Sequence, residues 1–196
     1  MSVVLAFVLL GVFVVELAVG AAGNERALVP LGALITHGWS SHDWWRVLTF
    51  SFLHLNWLHL GLNTAGLVWL GRIVERRLGP LRLTAIFAAS AVASGTAGML
   101  LGPVLPTSGV AVGASGAVCG LLAAALILAF RRHADRRLRL PLTICFAAVM
   151  ATSFLPGVSL AGHLGGLVGG VLIVTPLAFR SPLHSRRGAA RSVDPG

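Results

Sequence analysis

The sequence predicts an all-α integral membrane protein whose six helices cross the bilayer, with a long first loop on the outer side. Of its 196 residues, 56% are hydrophobic and only 11% are charged, and the mean hydropathy is +0.88. Soluble domains carry about 25% charged residues, so a chain this apolar would not stay in solution. The apolar runs show no period-two alternation, and only helices or closed barrels satisfy backbone groups in lipid, so we expect helices.

Six apolar runs approach the length of about 20 residues that a helix needs to cross the hydrocarbon core. The predicted spans are 2–22, 54–72, 82–101, 113–130, 140–155 and 160–179. The fifth is the shortest. The first lacks a basic segment before it, which favours a retained span, although its alanine-rich end leaves a cleaved signal peptide as the alternative. We predict one membrane domain over residues 1–180 and a basic, disordered cytoplasmic tail over 181–196.

The loops alternate sharply in charge, and this alternation predicts the orientation of the chain. The positive charge comes entirely from arginine, since the chain has no lysine. Arginines gather in the second-to-third connection, the fourth-to-fifth connection and the C-terminal tail, whereas the third-to-fourth and fifth-to-sixth loops carry no charge. By the positive-inside rule, both termini face the cytoplasm and the connection over residues 23–53 lies outside. We expect a multi-pass protein of a bacterial plasma membrane.

The charged and aromatic residues of the loops indicate contact with lipid. Because the arginines lie in short loops between apolar runs, the expected partners are membrane lipids and not nucleic acid. The outer connection also holds Trp39, Trp44, Trp45 and Arg46, and tryptophans cluster at headgroup depth. Two interpretations of this connection stay open: an interfacial anchor, or a surface that admits a substrate.

Polar groups are costly inside a membrane span and are usually functional or paired, and four such side chains stand out. They are His59, Asn63, Ser115 and His163. With the N-terminus inside, the second, fourth and sixth spans all run from the outer to the inner side, and each of these residues lies near the start of its span. We therefore expect all four at a similar depth, in a site that opens to the outer face.

Small residues recur at every fourth position of the fourth and sixth predicted helices, and such stripes let helix backbones approach closely. The stripes are Gly116, Gly120 and Ala124, and Gly162, Gly166 and Gly170. If they pack on each other, the Ser115 hydroxyl and the His163 imidazole come within hydrogen-bond reach. The alternative is that the stripes serve packing alone and that the serine bonds back to its own helix.

A serine and a histidine so placed would suit nucleophilic hydrolysis. His163 would take the proton of the Ser115 hydroxyl and later donate it to the leaving amine. His59 and Asn63 are four residues apart and share a helical face, so with the backbone N–H of Ser115 they are candidate donors to an oxyanion. No acidic residue is suitably placed to orient His163, which favours a dyad over a triad.

Four segments together resemble the rhomboid family of intramembrane proteases, and the resemblance extends from the first span to about Phe179. WWRVLTFSFLHLNWLHLGLNTAGLVWLG is similar to the family's Trp-Arg loop and the His-xxx-Asn helix that follows it, and GRIVERRLG to the glutamate-containing end of that helix. GASG resembles the nucleophile motif, and AGHLGGLVGG resembles the helix with the catalytic histidine and its glycine face. Each segment alone is a weak signal, but their order and spacing are specific.

The resemblance implies a six-helix rhomboid-like bundle that acts as an intramembrane serine endopeptidase. Ser115 would be the nucleophile and His163 the base, while His59, Asn63 and the Ser115 amide would stabilise the oxyanion. Six further positions would support the site. They are Gly113 and Ala114 in the loop beside the oxyanion, Gly116 and Cys119 after the nucleophile, and Gly166 and Gly170 beside the base. The implied substrates are single-span membrane proteins with small, helix-destabilising residues near the cleaved bond; neither a metal nor a cofactor is implied.

One departure from the family concerns Cys119. The family often has tyrosine or phenylalanine four residues after the nucleophile, where the ring packs on the catalytic imidazole, so the support of His163 differs here. A thiol one helical turn from Ser115 offers a second nucleophile. An apolar setting leaves little thiolate, however, so a small buried cysteine is the favoured interpretation.

Three other classes of function fit the sequence less well. A catalytically inactive relative that binds transmembrane clients would typically lack Ser115 or His163, and both are present. A channel would spread polar residues along a pore instead of gathering them at one depth. A metal site built from His54, His59 and His163 lacks a His-Glu-x-x-His motif, and His54 lies five residues from His59, off its helical face.

Overall fold

A computed structural model describes residues 1–105, 109–131 and 136–180. Residues 179 and 180 are described by their backbone alone. The helices are α1 (Ser2–Ala18), α2 (Glu25–Leu28), α3 (Arg46–Thr49), α4 (Trp57–Leu78), α5 (Pro80–Leu101), α6 (Ser115–Phe130), α7 (Arg139–Thr152) and α8 (Leu160–Arg180). Strands β1 (Leu34–Ile35) and β2 (Val110–Ala111) pair antiparallel. Short 3-10 turns lie at Ser41–Asp43, Phe50–Phe52, Gly102–Val104 and Arg136–Leu138. The predicted tail over 181–196 lies outside the described residues.

A long helix lies at each of the six predicted spans. By length and hydropathy together, two described segments are able to cross a bilayer, Pro80–Val104 and Leu160–Ala178, whereas α1 and α6 are apolar but shorter. As the apolar runs predict, α7 is the shortest of the six long helices, with 14 residues. The mostly helical fold with its apolar helices agrees with the predicted class.

Local capping explains why α4 departs from the predicted bounds. It starts at Trp57 and not at residue 54, because the Asn56 side chain accepts the backbone N–H of His59 at 2.9 Å and caps the helix. It continues past residue 72 to Leu78 and stops where Gly79 takes a φ of +86°. Proline then opens α5, as its fixed φ favours at a first helical position.

Helix α8 packs against both α5 and α6 along glycine faces. A Cβ at Gly166 would collide with the carbonyl oxygen of Gly116 in α6. On the other side, a Cβ at Gly165 would lie 2.6 Å from the carbonyl oxygen of Ala93 in α5. The missing side chains therefore let three helix backbones meet, and this contact sets the distance between the start of α6 and the start of α8.

The connection between α1 and α4 is folded, and Arg46 ties it together. The Arg46 guanidinium donates to the carbonyl oxygens of Val29 and Ala33, and its Nε donates to Oδ1 of Asp43 at 2.8 Å. Its charge also lies over the Trp45 ring, 4.6 Å from the centroid. Because β1 of this connection pairs with β2 just before α6, the connection reaches the start of α6.

Asp43→Asn should loosen this connection. The backbone N–H of Ser40, and then the Arg46 guanidinium, hold the pKa of Asp43 below its usual 3.8. The charged carboxylate therefore stabilises the fold above that pH, and its contribution is lost as the pH falls toward the lowered pKa. At neutral pH we expect faster tryptic cleavage after Arg46 in Asp43→Asn than in the wild type. Glu25→Gln, in the same connection, is the control; equal cleavage in all three proteins would show that the ion pair does not hold the segment.

Candidate active site

The predicted site residues lie at the starts of α4, α6 and α8. Ser115 is the first residue of α6 and is half-buried, and Ala114 before it is fully buried. The first backbone N–H groups of a helix have no partner within it and carry the positive end of the helix dipole. The start of α6 therefore favours a negative charge next to the Ser115 hydroxyl.

His59 packs on the turn that leads into α6. A Cβ at Gly113 would lie 2.5 Å from both Cε1 and Nε2 of the His59 ring. Gly113 also has a φ of +120°, which residues with a side chain rarely adopt. Its N–H donates to the carbonyl oxygen of Phe50 at 2.9 Å, which fixes the turn. The His59 ring is therefore in close contact with the backbone two residues before Ser115.

Asn63 is buried on α4, one helical turn after His59. Its Nδ2 donates to the carbonyl oxygen of His59 at 2.9 Å. A carboxamide carries two N–H groups, so this bond orients the side chain while a second donor remains on the same nitrogen. The spacing of four residues thus produces a direct contact between the two positions.

His163 is buried near the start of α8, with 7% of its surface exposed. Its Nδ1 lies 2.6 Å from Oγ of Ser153, the residue that caps α7, and its backbone N–H donates to the carbonyl oxygen of Ser159 at 3.0 Å. The sequence pattern did not indicate Ser153. The one feature that could have indicated it is a hydroxyl at the end of α7, because only a short connection separates α7 from α8, the helix that carries His163. Among the described residues, no aromatic ring packs on the His163 imidazole. The hydrogen bond to Ser153 therefore holds this ring, whereas in the family an aromatic residue at the position of Cys119 often packs on it.

The contact between Gly116 of α6 and Gly162 of α8 brings Ser115 and His163 to the same depth along the two helices. A Cβ at Gly116 would lie 3.1 Å from the carbonyl oxygen of Gly162, and Ser115 and His163 are the immediate neighbours of these glycines. No hydrogen bond joins the Ser115 hydroxyl to His163 in the part of the chain that the structure describes. The two residues thus lie on adjoining helix starts without that bond. Bonds of this kind often tighten only when substrate binds.

His54 lies closer to the site than its position in the sequence indicated. Its ring is fully buried and stands 5.1 Å from the His59 ring, centroid to centroid. The expectation that it lies off the face of His59 is wrong, because His54 precedes α4 and helical spacing does not apply. The Glu16 carboxylate holds its backbone N–H at 3.1 and 3.2 Å. Within residues 1–105, 109–131 and 136–180, no group of three or more His, Cys, Asp or Glu side chains is placed to hold a metal ion.

Cys119 and the supporting glycines lie within the contact between α6 and α8. Cys119 is a free cysteine, 3% exposed, between Gly116 and Gly120. Gly170 meets Gly120 as Gly166 meets Gly116, since a Cβ at Gly170 would collide with the Gly120 carbonyl oxygen. These glycines therefore set the spacing of the two helices, and packing encloses the thiol.

Most of the chain is similar in sequence to known proteins. The family model for the Rhomboid domain matches residues 41–180. The chain is 31% identical over 163 residues to Rhomboid protease GluP of Bacillus subtilis, covering 82% of the chain and 31% of that protein. It is 31% identical over 153 residues to Rhomboid-like protease 3 of Toxoplasma gondii, covering 77% of the chain and 58% of that protein. It is 33% identical over 178 residues to Rhomboid-like protease 2 of the same organism, covering 86% of the chain and 62% of that protein. The chain thus spans between about a third and three fifths of the length of these relatives.

Proposed function

Because the chain belongs to the rhomboid family and its relatives include named proteases, we propose that it is an intramembrane serine endopeptidase that cleaves single-span membrane proteins. The observation that supports this proposal most directly is that the first turns of α4, α6 and α8 lie close together. Ser115 opens α6, His59 packs on the turn before it, and the contact of Gly116 with Gly162 sets the level of His163. A nucleophile, an oxyanion donor and a base are the groups that acyl transfer requires.

We place this site on the outer side of a bacterial plasma membrane, in a chain that crosses the bilayer six times with both termini in the cytoplasm. Support comes from the arginines at the helix ends that face away from the site. Arg76 and Arg77 lie in the last turn of α4, and α7 begins at Arg139. The cytoplasmic leaflet is anionic, so these side chains would bind lipid headgroups there.

In the proposed reaction, Oγ of Ser115 attacks the carbonyl carbon of the cleaved peptide bond while His163 takes the hydroxyl proton. The new C–O bond leaves negative charge on the former carbonyl oxygen, to which the Ser115 N–H, Asn63 and His59 would donate. When the C–N bond breaks, His163 returns its proton to the leaving amine. Water then hydrolyses the acyl-enzyme by the same steps. These steps need neither a metal nor a cofactor.

A fluorophosphonate probe tests the serine mechanism in the purified, reconstituted protein, because such probes bond covalently to an activated serine. We expect the modification at Ser115, with a parallel loss of cleavage of a single-span substrate that carries small residues near the cut. Cleavage that persists after complete labelling would contradict the mechanism. Substrate binding without cleavage would favour the alternative, a catalytically inactive rhomboid-like protein that binds transmembrane clients.

Asn63→Ala should weaken catalysis without abolishing it. Loss of one oxyanion donor typically lowers the rate by about 10²–10³-fold, while the proposed nucleophile and base remain. The effect should fall on kcat more than on KM, because the charge that the amide stabilises develops only in the transition state. Thr64→Ala, the next residue on α4, is the matched control and should leave both constants unchanged. An unaltered kcat in Asn63→Ala would exclude this side chain from the oxyanion site.

A further inference from the structure

Ser153, which caps the end of α7, makes two short hydrogen bonds to groups on different helices. Its Oγ lies 2.6 Å from the carbonyl oxygen of Val149, one turn earlier on α7, and 2.6 Å from Nδ1 of His163 on α8. Ser153 is 2% exposed and His163 is 7% exposed, so both partners of this bond are shielded from bulk water. The hydroxyl therefore has two protein partners and a single proton.

The single hydroxyl proton of Ser153 determines the direction of both hydrogen bonds. A carbonyl oxygen only accepts, so the bond to Val149 uses the one hydroxyl proton of Ser153. If that proton pointed to His163 instead, the Ser153 and Val149 oxygens would face each other at 2.6 Å as two acceptors. The Ser153 oxygen therefore accepts from His163, whose Nδ1 carries a hydrogen. In a neutral imidazole the lone pair then lies on Nε2.

We propose that Ser153 is a positioning residue that holds the His163 imidazole in the tautomer able to act as a base toward Ser115. The inference rests on the proposed function, because the lone pair on Nε2 matters only if His163 takes a proton. In Ser-His-Asp proteases, a carboxylate bonded to Nδ1 fixes the tautomer and the orientation of the ring. Here a neutral hydroxyl at the end of the neighbouring helix does so.

None of the described carboxylates lies at Nδ1 of His163, where Ser153 is bound. They are Glu16 at the backbone of His54, Asp43 at Arg46, Glu75 at Ser2, and Glu25 in the first turn of α2. None of them bonds to the His163 ring. Within the described ranges, Ser153 is the side chain that engages Nδ1. A hydroxyl adds no charge, so it selects the tautomer and the ring orientation while stabilising an imidazolium less than a carboxylate would.

Ser153→Ala should lower kcat about 10- to 100-fold and leave KM nearly unchanged, because the imidazole is then free to carry its proton on Nε2 and to rotate. Ser153→Thr keeps the hydroxyl and should recover most of the rate. Thr152→Ala is the matched control, since this neighbouring hydroxyl bonds to carbonyl oxygens of its own helix at 2.9 and 3.1 Å. Its loss should leave kcat unchanged. A wild-type kcat in Ser153→Ala would overturn the proposal.

The tautomer can be measured without turnover. In protein with 15N-labelled histidine, at a pH where the ring is neutral, the shifts of the two ring nitrogens show which of them is protonated, and a His163→Gln spectrum identifies the resonances. We expect His163 to be protonated at Nδ1 in the wild type and in Thr152→Ala, and to lose this preference in Ser153→Ala. A His163 ring protonated at Nε2 in the wild type would also overturn the proposal.

The failure of this inference is distinguishable from the failure of the proposed function. A wild type that does not cleave substrate would overturn the proposed function and with it the catalytic role of Ser153, whatever the tautomer. If the wild type cleaves, Ser115→Ala does not, and Ser153→Ala cleaves like the wild type, the proposed function stands and the positioning role alone is lost.

Discussion

Ser115→Ala and His163→Ala should each lower the rate of substrate cleavage by about 10⁴-fold or more, because residues that act as one catalytic unit lose nearly all activity when either is removed. The first change removes the proposed nucleophile, and the second removes the proposed base. For the same reason, the double variant should be no slower than either single variant. Product formation in proteoliposomes, at matched densities of enzyme and single-span substrate, measures the effect.

Both variants are expected to keep the fold. Ser115 is the first residue of α6, its hydroxyl makes no hydrogen bond with the described residues, and alanine is favourable in a helix. His163→Ala loses the bond to Ser153, so its thermal unfolding is compared directly with that of the wild type. Substantial cleavage by a folded Ser115→Ala protein would remove this hydroxyl from the mechanism.

Gly166→Ala should destabilise the bundle by about 3 kcal/mol or more, the upper end of what overpacking in a core typically costs. The new methyl group would collide with the carbonyl group of Gly116, and the backbone of a packed helix cannot move aside as the tip of a flexible side chain can. Helices α6 and α8 must then separate, which should also lower kcat by drawing Ser115 away from His163. Unfolding by heat or by titrated SDS in mild detergent measures the loss of stability.

Gly61→Ala is the matched control for this change. Gly61 lies on α4, and a Cβ there would meet nothing within 4 Å. Alanine is the better helix former by about 1 kcal/mol, so stability should be unchanged or slightly higher. An unfolding curve of Gly166→Ala that overlays the wild-type curve would contradict the tight contact between α6 and α8.

The long helices and the packing of α6 on α8 could be predicted because they leave periodic traces in the sequence. Apolar runs indicated the six long helices, and glycines at every fourth position indicated the faces that pack, such as Gly116 against Gly166. Ser115 and His163 stand out because a polar residue is rare within an apolar run. Patterns within one helix at a time were sufficient for each of these features.

Contacts that depend on the ends of helices leave no such trace. His54 meets His59 only because the chain folds back before α4, and Arg46 bonds to carbonyl oxygens 13 and 17 residues earlier through a connection without periodicity. Ser153 is the third case. Its bond to His163 depends on where α7 stops relative to α8, and a serine at a helix end is ordinarily explained by bonds to its own backbone.

Gly113 has to meet two unrelated demands at one position, and this limits how the site can be re-engineered. A side chain there would need a new backbone path, because φ is +120°, and would also displace the His59 imidazole. A second substitution within the turn could relieve the first defect but not the second. Conversely, grafting the turn onto another scaffold without the imidazole of α4 would leave a void where the His59 ring now contacts Gly113. The turn at Gly113 and the first turns of α4 therefore have to be transferred together.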